Sequence, residues 1–235
     1  MRDYPTLPAM AERRHSVEQP ARPANSPSIG SAPSAPVGTA PNGSAIELAV
    51  LDAPVLVRGV LTMVLLHVAE AGAFDPVWSD QIHADWAREL QRSHPAMPVE
   101  RLRHRRVEMD RAFPVANVIA SRDMQDEVLV HCTTPAERKA AHVLATALSA
   151  RAAVIVTDTS FCLSEVMSKL WHDTAVLSPD AWCLELLDRH EAAVLEGGRT
   201  HRGETSVASW LALLRSPQVG LSATADRLAT LREKL

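Results

Sequence analysis

The chain has 235 residues, 46% apolar and 22% charged, enough for one sizeable globular domain with attachments. A net charge of −4 excludes a polycation that binds nucleic acid through bulk charge, so any such binding needs a local basic patch. The cysteines Cys132, Cys162 and Cys183 are far apart and form no C-x-x-C, which argues against a disulfide framework and for a reducing cytoplasm.

Residues 1–44 hold eight of the sixteen prolines, in runs such as NSPSIGSAPSAPVGTAPNGS. Such a composition cannot bury a core, so it predicts a disordered tail, either passive or a tether for a partner. The opening MRDYPTLPAMAERRHS has no apolar signal core. The most apolar stretch, APVLVRGVLTMVLLHVAEAG, is interrupted by Arg58 and His67 and falls short of the ~18 apolar residues of a membrane span. A cytoplasmic protein without a membrane partner is expected.

The folded part is expected to start near Ala45 with the buried strand AIELAVL. PVLVRGVLTMVLLHVAEAG then reads as one helix, with Pro54 in its first turn and Gly72 at its end. FDPVW is a short extended piece. Ser79 is placed to cap the helix DQIHADWARELQR, whose core face carries Ile82, Trp86 and Leu90 at i, i+4, i+8. PVERLRHRRVEMDRAF predicts a further helix, and EVLVHC a strand. TPAERKAAHVLATALSAR is a helix with Thr134 at its cap, Pro135 at N1 and Glu137 at N3. AAVIVTD is a fully buried strand, FCLSEVMSKLW a helix, TAVLS a short strand and SPDAWCLELLDRHEAAVL a capped helix. EGGRTHRGET reads as a linker, followed by two short helices as a C-terminal appendage. Alternating strands and helices predict an α/β domain with a mostly parallel sheet.

Two carboxylates mark the strand ends: Asp52 after AIELAVL and Asp158 after AAVIVT. Ligands of open parallel sheets bind at the carboxyl ends of strands. If the two strands are neighbours, the like charges converge and require a cation or a shared proton. A hard divalent ion, Mg²⁺ or Mn²⁺, meets that need through oxygen ligands. Each aspartate also precedes a helix, so capping is the competing reading. A third acid can come from the helix after Ser79: Asp85 flanks its buried face, whereas Asp80 sits at its N-terminus, where the helix dipole explains it. His142, on an apolar helix, reads as a core histidine. His83 and Asp85 point to different faces. The five tryptophans, Trp78, Trp86, Trp171, Trp182 and Trp210, read as core or interface residues.

The run AIELAVLDAPVLVRGVLTMVLLHVAEAGAFDPVWSDQIHADWARELQR resembles the N-terminal half of a PIN domain. PIN domains are metal-dependent nucleases, and many are the toxin of a VapC-type toxin–antitoxin pair. The family pattern continues through MDRAFP, AERKAAHVLATAL, VIVTDTSF and SPDAW, over about residues 46–195. The resemblance implies a three-layer fold over 45–195, followed by linker and C-terminal helices over 196–235. It implies catalytic and metal-binding roles for Asp52, Asp85 and Asp158, with Glu137 as a further ligand, and hydrolysis of RNA with Mg²⁺ or Mn²⁺. It also implies a cognate antitoxin and a homodimer as partners. Thr157, Thr159 or Ser160 would orient a ligand or water, or serve as ordinary turn and cap residues. Arg58 and the cluster Arg101, Arg103, Arg105 and Arg106 are the candidate RNA contacts; a solvated helix face is the competing reading of the cluster. The chain departs from the pattern before HVLA, where relatives carry aspartates and this sequence has Lys139, Ala140 and Ala141. A catalytically degenerate PIN domain, binding RNA or a protein, is therefore the alternative function.

Overall fold

The structure, a computed structural model, describes residues 46–170 and 173–235, with the side chains of 160–162 left aside. The expected tail over 1–44, Trp171 and the side chains of Ser160 and Cys162 lie outside the described residues. In chain order the elements are β1 (Leu48–Leu51), α1 (Ala53–Val57), α2 (Gly59–Glu70), β2 (Asp75–Val77), α3 (Asp80–Ser93), α4 (Val99–Ala112) and α5 (Arg122–His131). There follow α6 (Pro135–Ala150), β3 (Val154–Val156), α7 (Ser160–Lys169), β4 (Ala175–Leu177), α8 (Pro179–Arg202), α9 (Val207–Arg215) and α10 (Ser222–Thr230).

The strands form one parallel sheet in the order β2-β1-β3-β4. Ala49, Val50 and Leu51 of β1 and Val154, Ile155 and Val156 of β3 are all buried. Such continuous apolar runs belong to strands covered on both faces. α2 packs against α8, while α6 packs against α5 and α7. The chain moves one way from β1 to β2 and the other way from β3 to β4, and right-handed crossovers then put the two helix groups on opposite faces. The result is the expected three-layer α/β architecture. Its direction of winding reverses between β1 and β3, which opens a crevice at their carboxyl ends. Among the described residues, no helix is long and apolar enough to cross a membrane.

The expected helix caps are present. Ser79 accepts from Ile82 N, and Thr134 and Glu137 form a complete capping box. Ile82, Trp86 and Leu90 are buried at 0%, 1% and 1% exposure, which settles the core face of α3.

Three expectations are corrected. The single helix from Pro54 is two helices, broken at Arg58 (φ −81°, ψ 90°). The break leaves the Leu56 carbonyl without a backbone donor, whereas those of Val55 and Arg58 accept from Arg58 N and Thr62 N. Thr62 Oγ1 donates toward the carbonyls of Val55, Leu56 and Arg58, and Arg105 donates to that of Leu56 at 2.6 Å.

EVLVHC is the C-terminal half of helix α5 and not a strand; Ser121 caps that helix at Met124 N. Met124, Val128 and Cys132 recur every four residues, and Val128 and Cys132 are buried, so helical period outweighs a short β-branched run.

EGGRTHRGET is not a linker through most of its length, because α8 resumes beyond a kink at His190 (φ −134°, ψ 41°), runs to Arg202 and ends at Gly203 (φ 54°). The two glycines allow close packing. A Cβ on Gly197 would stand 2.6 Å from Val68 Cα, and one on Gly198 would stand 2.9 Å from the Trp210 ring. α9 and α10 join the same core: Trp210, Leu211, Leu214, Val219, Leu221 and Leu228 are buried with it. Asp180, at the start of α8, caps α10 from outside, accepting from Ala223 N at 2.9 Å, Thr224 N at 2.8 Å and Thr224 Oγ1 at 2.6 Å.

Candidate functional site

Asp52 ends β1 at the crevice, with its backbone N–H donating to Val156 O of β3 at 3.1 Å. The residue is only 6% exposed. Oδ1 accepts from Ala53 N and Oδ2 from Thr157 Oγ1, both at 2.7 Å. The Thr157 hydroxyl, which is fully buried, in turn accepts from Thr159 N at 3.1 Å. Asp52 thus caps α1 at the carboxyl end of β1. Burial pushes its carboxyl above the usual aspartate range. The Thr157 and Ala53 bonds and the nearby His142 counter that rise, while the Asp85 charge adds to it.

Asp85 reaches the crevice from α3 and His142 from α6. Arg88 Nη1 holds Asp85 Oδ1 at 2.6 Å, and His142 Nε2 lies 3.2 Å from Asp85 Oδ2. The His142 side chain is 10% exposed, and its Nδ1 is 3.0 Å from the Lys139 carbonyl. Although close to Asp85, Nε2 is buried and off any hydrogen-bond direction. The core-histidine reading is therefore incomplete: His142 is buried, but it faces charge. His83 points elsewhere, as its spacing implied. Its Nδ1 accepts from Trp86 Nε1 at 2.9 Å, and burial lowers its proton affinity.

Asp158 turns away from this pair. Arg58 Nη2 holds both its oxygens, at 2.9 and 2.7 Å, while Arg58 Nη1 donates to Val219 O at 3.3 Å. Glu137 is also elsewhere. Its Oε2 accepts from Thr133 N at 2.5 Å, Thr133 Oγ1 at 3.0 Å and Thr134 N at 2.9 Å. The backbone bonds from Thr134 and Thr133 hold its carboxyl below the usual range. The four acids implied by the resemblance do not fit one divalent ion, since two are committed to other partners. Among the described residues, no three His, Cys, Asp or Glu side chains are placed to hold a metal.

The basic cluster divides in the same way. Arg105 turns inward, over the Trp86 ring at 4.9 Å and onto Leu56 O. Arg106 binds Asp80 at 2.5 Å and Asp110 at 3.4 Å. Only Arg101 and Arg103 of the four are exposed. Sequence reasoning missed Arg88, whose i+3 spacing from Asp85 was a readable signal. No family model, curated protein or solved structure matches the chain.

Proposed function

We propose that the chain is a catalytically degenerate PIN-type domain that binds RNA at the β1–β3 crevice. The observation that carries this reading is the diversion of Asp158 to Arg58 and of Glu137 to the α6 cap. A hard-cation nuclease needs oxygen ligands free to converge, and here two of the four implied acids are engaged. Exposed cations for phosphate contact are Arg88, 70% exposed while it holds Asp85, with Arg103 and Lys139 at the surface. Arg88 stands beside Asp85, and Lys139 on α6 is one turn before His142.

A second reading, the metal-dependent ribonuclease toxin, is favoured by one specific feature. Asp52 and Asp85 act on one another at the winding reversal, where such sheets bind their ligands. An antitoxin partner and a homodimer belong to this toxin reading and follow from the resemblance alone.

A labelled single-stranded RNA library incubated with the full chain in Mg²⁺ and in Mn²⁺ separates the two. Retention of RNA without cleavage, weakening as salt rises, is the expected result. Metal-dependent cleavage that disappears in Asp52→Asn would replace the degenerate reading with the nuclease.

A further inference from the structure

Two histidines from distant parts of the chain meet on the C-terminal side of the molecule. His67 of α2 and His201 of α8 stand edge to face, with 5.7 Å between ring centres. Trp210 of α9 closes the cluster, its Nε1–H donating to His201 Nδ1 at 3.0 Å. The Trp210 ring is buried and lies against Gly198 of α8. An indole nitrogen only donates, so His201 Nδ1 is bare and the neutral ring carries its proton on Nε2. A second proton can enter only at Nδ1. Two N–H donors then face one another, and the bond that anchors α9 is lost.

The charges around the cluster do not favour an imidazolium. Burial pushes His201 down to about 4, and the His67 ring adds to the fall. Burial lowers His67 as well, opposed by the Glu70 charge and the Met63 backbone. Neighbouring charged side chains are engaged elsewhere. Arg199 binds Glu196 and the Lys234 carbonyl, Arg202 the Thr205 and Leu235 carbonyls, Arg215 Asp226, and Lys234 Glu191. Detached from Trp210 and in water, His201 returns to its ordinary value of 6.5 and holds a proton more tightly than when attached. Attachment is therefore fully favoured above 6.5 and weakens as pH falls from 6.5 toward about 4.

We propose that the His201–Trp210 bond is an acid-sensitive latch, which releases α9 and α10 from α8 before the rest of the fold opens. Gly203 ends α8 at φ 54° and leads within three residues to Ser206, the cap of α9, so the pair can swing out without unwinding α8. The ties of Asp180 to the start of α10 and of Arg58 to the Val219 carbonyl hold no histidine. Release withdraws that carbonyl from Arg58, so a proton at His201 reaches the Arg58–Asp158 pair. The latch does not depend on RNA binding.

The test is amide exchange on the full chain at about pH 7.5 and about pH 5, each rate divided by the intrinsic rate at that pH to give an opening constant. The opening constants of α9 and α10 should rise at least about tenfold, approaching the limit of about thirtyfold for one histidine of ordinary value. In acid they should also exceed those of α3. In His201→Gln an amide oxygen still accepts from Trp210 but does not titrate, so most of the rise should vanish. Nitrogen NMR of the His201 ring in the unmutated protein needs no variant to fold, and it should show the neutral Nε2–H form for as long as α9 is protected. Opening constants that stay flat overturn the proposal. An equal rise in His201→Gln overturns it too and assigns the effect to His67 or Asp180. A His201 ring that titrates near 6.5 with α9 still protected does the same, because the proton and the bond then coexist. Equal opening of α3 and α9 in acid replaces the latch with global unfolding.

Discussion

Two aspartates at element ends, Asp180 and Asp52, show how differently one chain uses the same side chain. Asp180 is saturated: it accepts from two backbone N–H groups and a hydroxyl of α10 and does nothing but fasten that helix. Asp52 has comparable donors in Ala53 N and Thr157 Oγ1, yet it sits beside a second carboxylate and a histidine nitrogen without a proper partner. The C-terminal side of the molecule is closed by apolar and glycine contacts. The strand-end side keeps a charge conflict in place. Native structures tolerate such conflict mainly where a ligand resolves it.

Three substitutions sharpen this contrast, taken from the largest effect to the smallest. Gly197→Ala drives a Cβ to within 2.6–2.7 Å of the Val68 and His67 backbone, which cannot swing aside as a side chain can. A loss of about 3 kcal/mol is expected, seen as a fall in the denaturant midpoint. An unchanged midpoint would mean that α2 and α8 are not in close contact.

Asp180→Ala leaves the donors at the start of α10 without their acceptor. The expected cost is about 1–3 kcal/mol, with amide exchange accelerated in α10 and unaltered in α3. Equal acceleration in both helices would show that the C-terminal pair is no separate fastening.

Asp52→Asn should act in the opposite direction and stabilise the fold modestly at neutral pH. The folded carboxyl titrates above its ordinary value of 3.8, so the folded state binds the proton more tightly than the unfolded chain. Stability therefore falls as pH rises from 3.8 through the folded value, and the amide removes that loss. Melting curves of the two proteins should converge as the pH approaches 3.8. A gap of the same size at low pH would assign the gain to something other than charge burial.

What the sequence disclosed follows the same division. Strand ends were legible because apolar runs stop at Asp52 and Asp158, and helix starts because Ser79 and the Thr134–Glu137 pair have local cap chemistry. EVLVHC misled because six residues are too few to tell a strand from half a helix, and the deciding residue, Met124, lies outside the run. The Gly-Gly pair was read by composition as a linker, whereas its meaning depends on Val68, more than a hundred positions away. At the site, which acids would be present was legible, but which cation each would meet was not. Arg58, Arg88 and His142 choose their carboxylates through side-chain directions that only the packed helices set.

Arg58 joins three parts of the chain that are distant in sequence: the break between α1 and α2, Asp158 beyond β3, and the Val219 carbonyl in the turn between α9 and α10. The length of that last turn is thereby tied to the crevice. One residue inserted between Ser216 and Leu221 would shift the carbonyl that steadies the guanidinium and loosen its hold on Asp158. An insertion of the same size between Gly203 and Ser206, where no side chain from the crevice reaches, would be absorbed locally. Divergence in length among chains built to this plan should therefore collect in the second loop and spare the first.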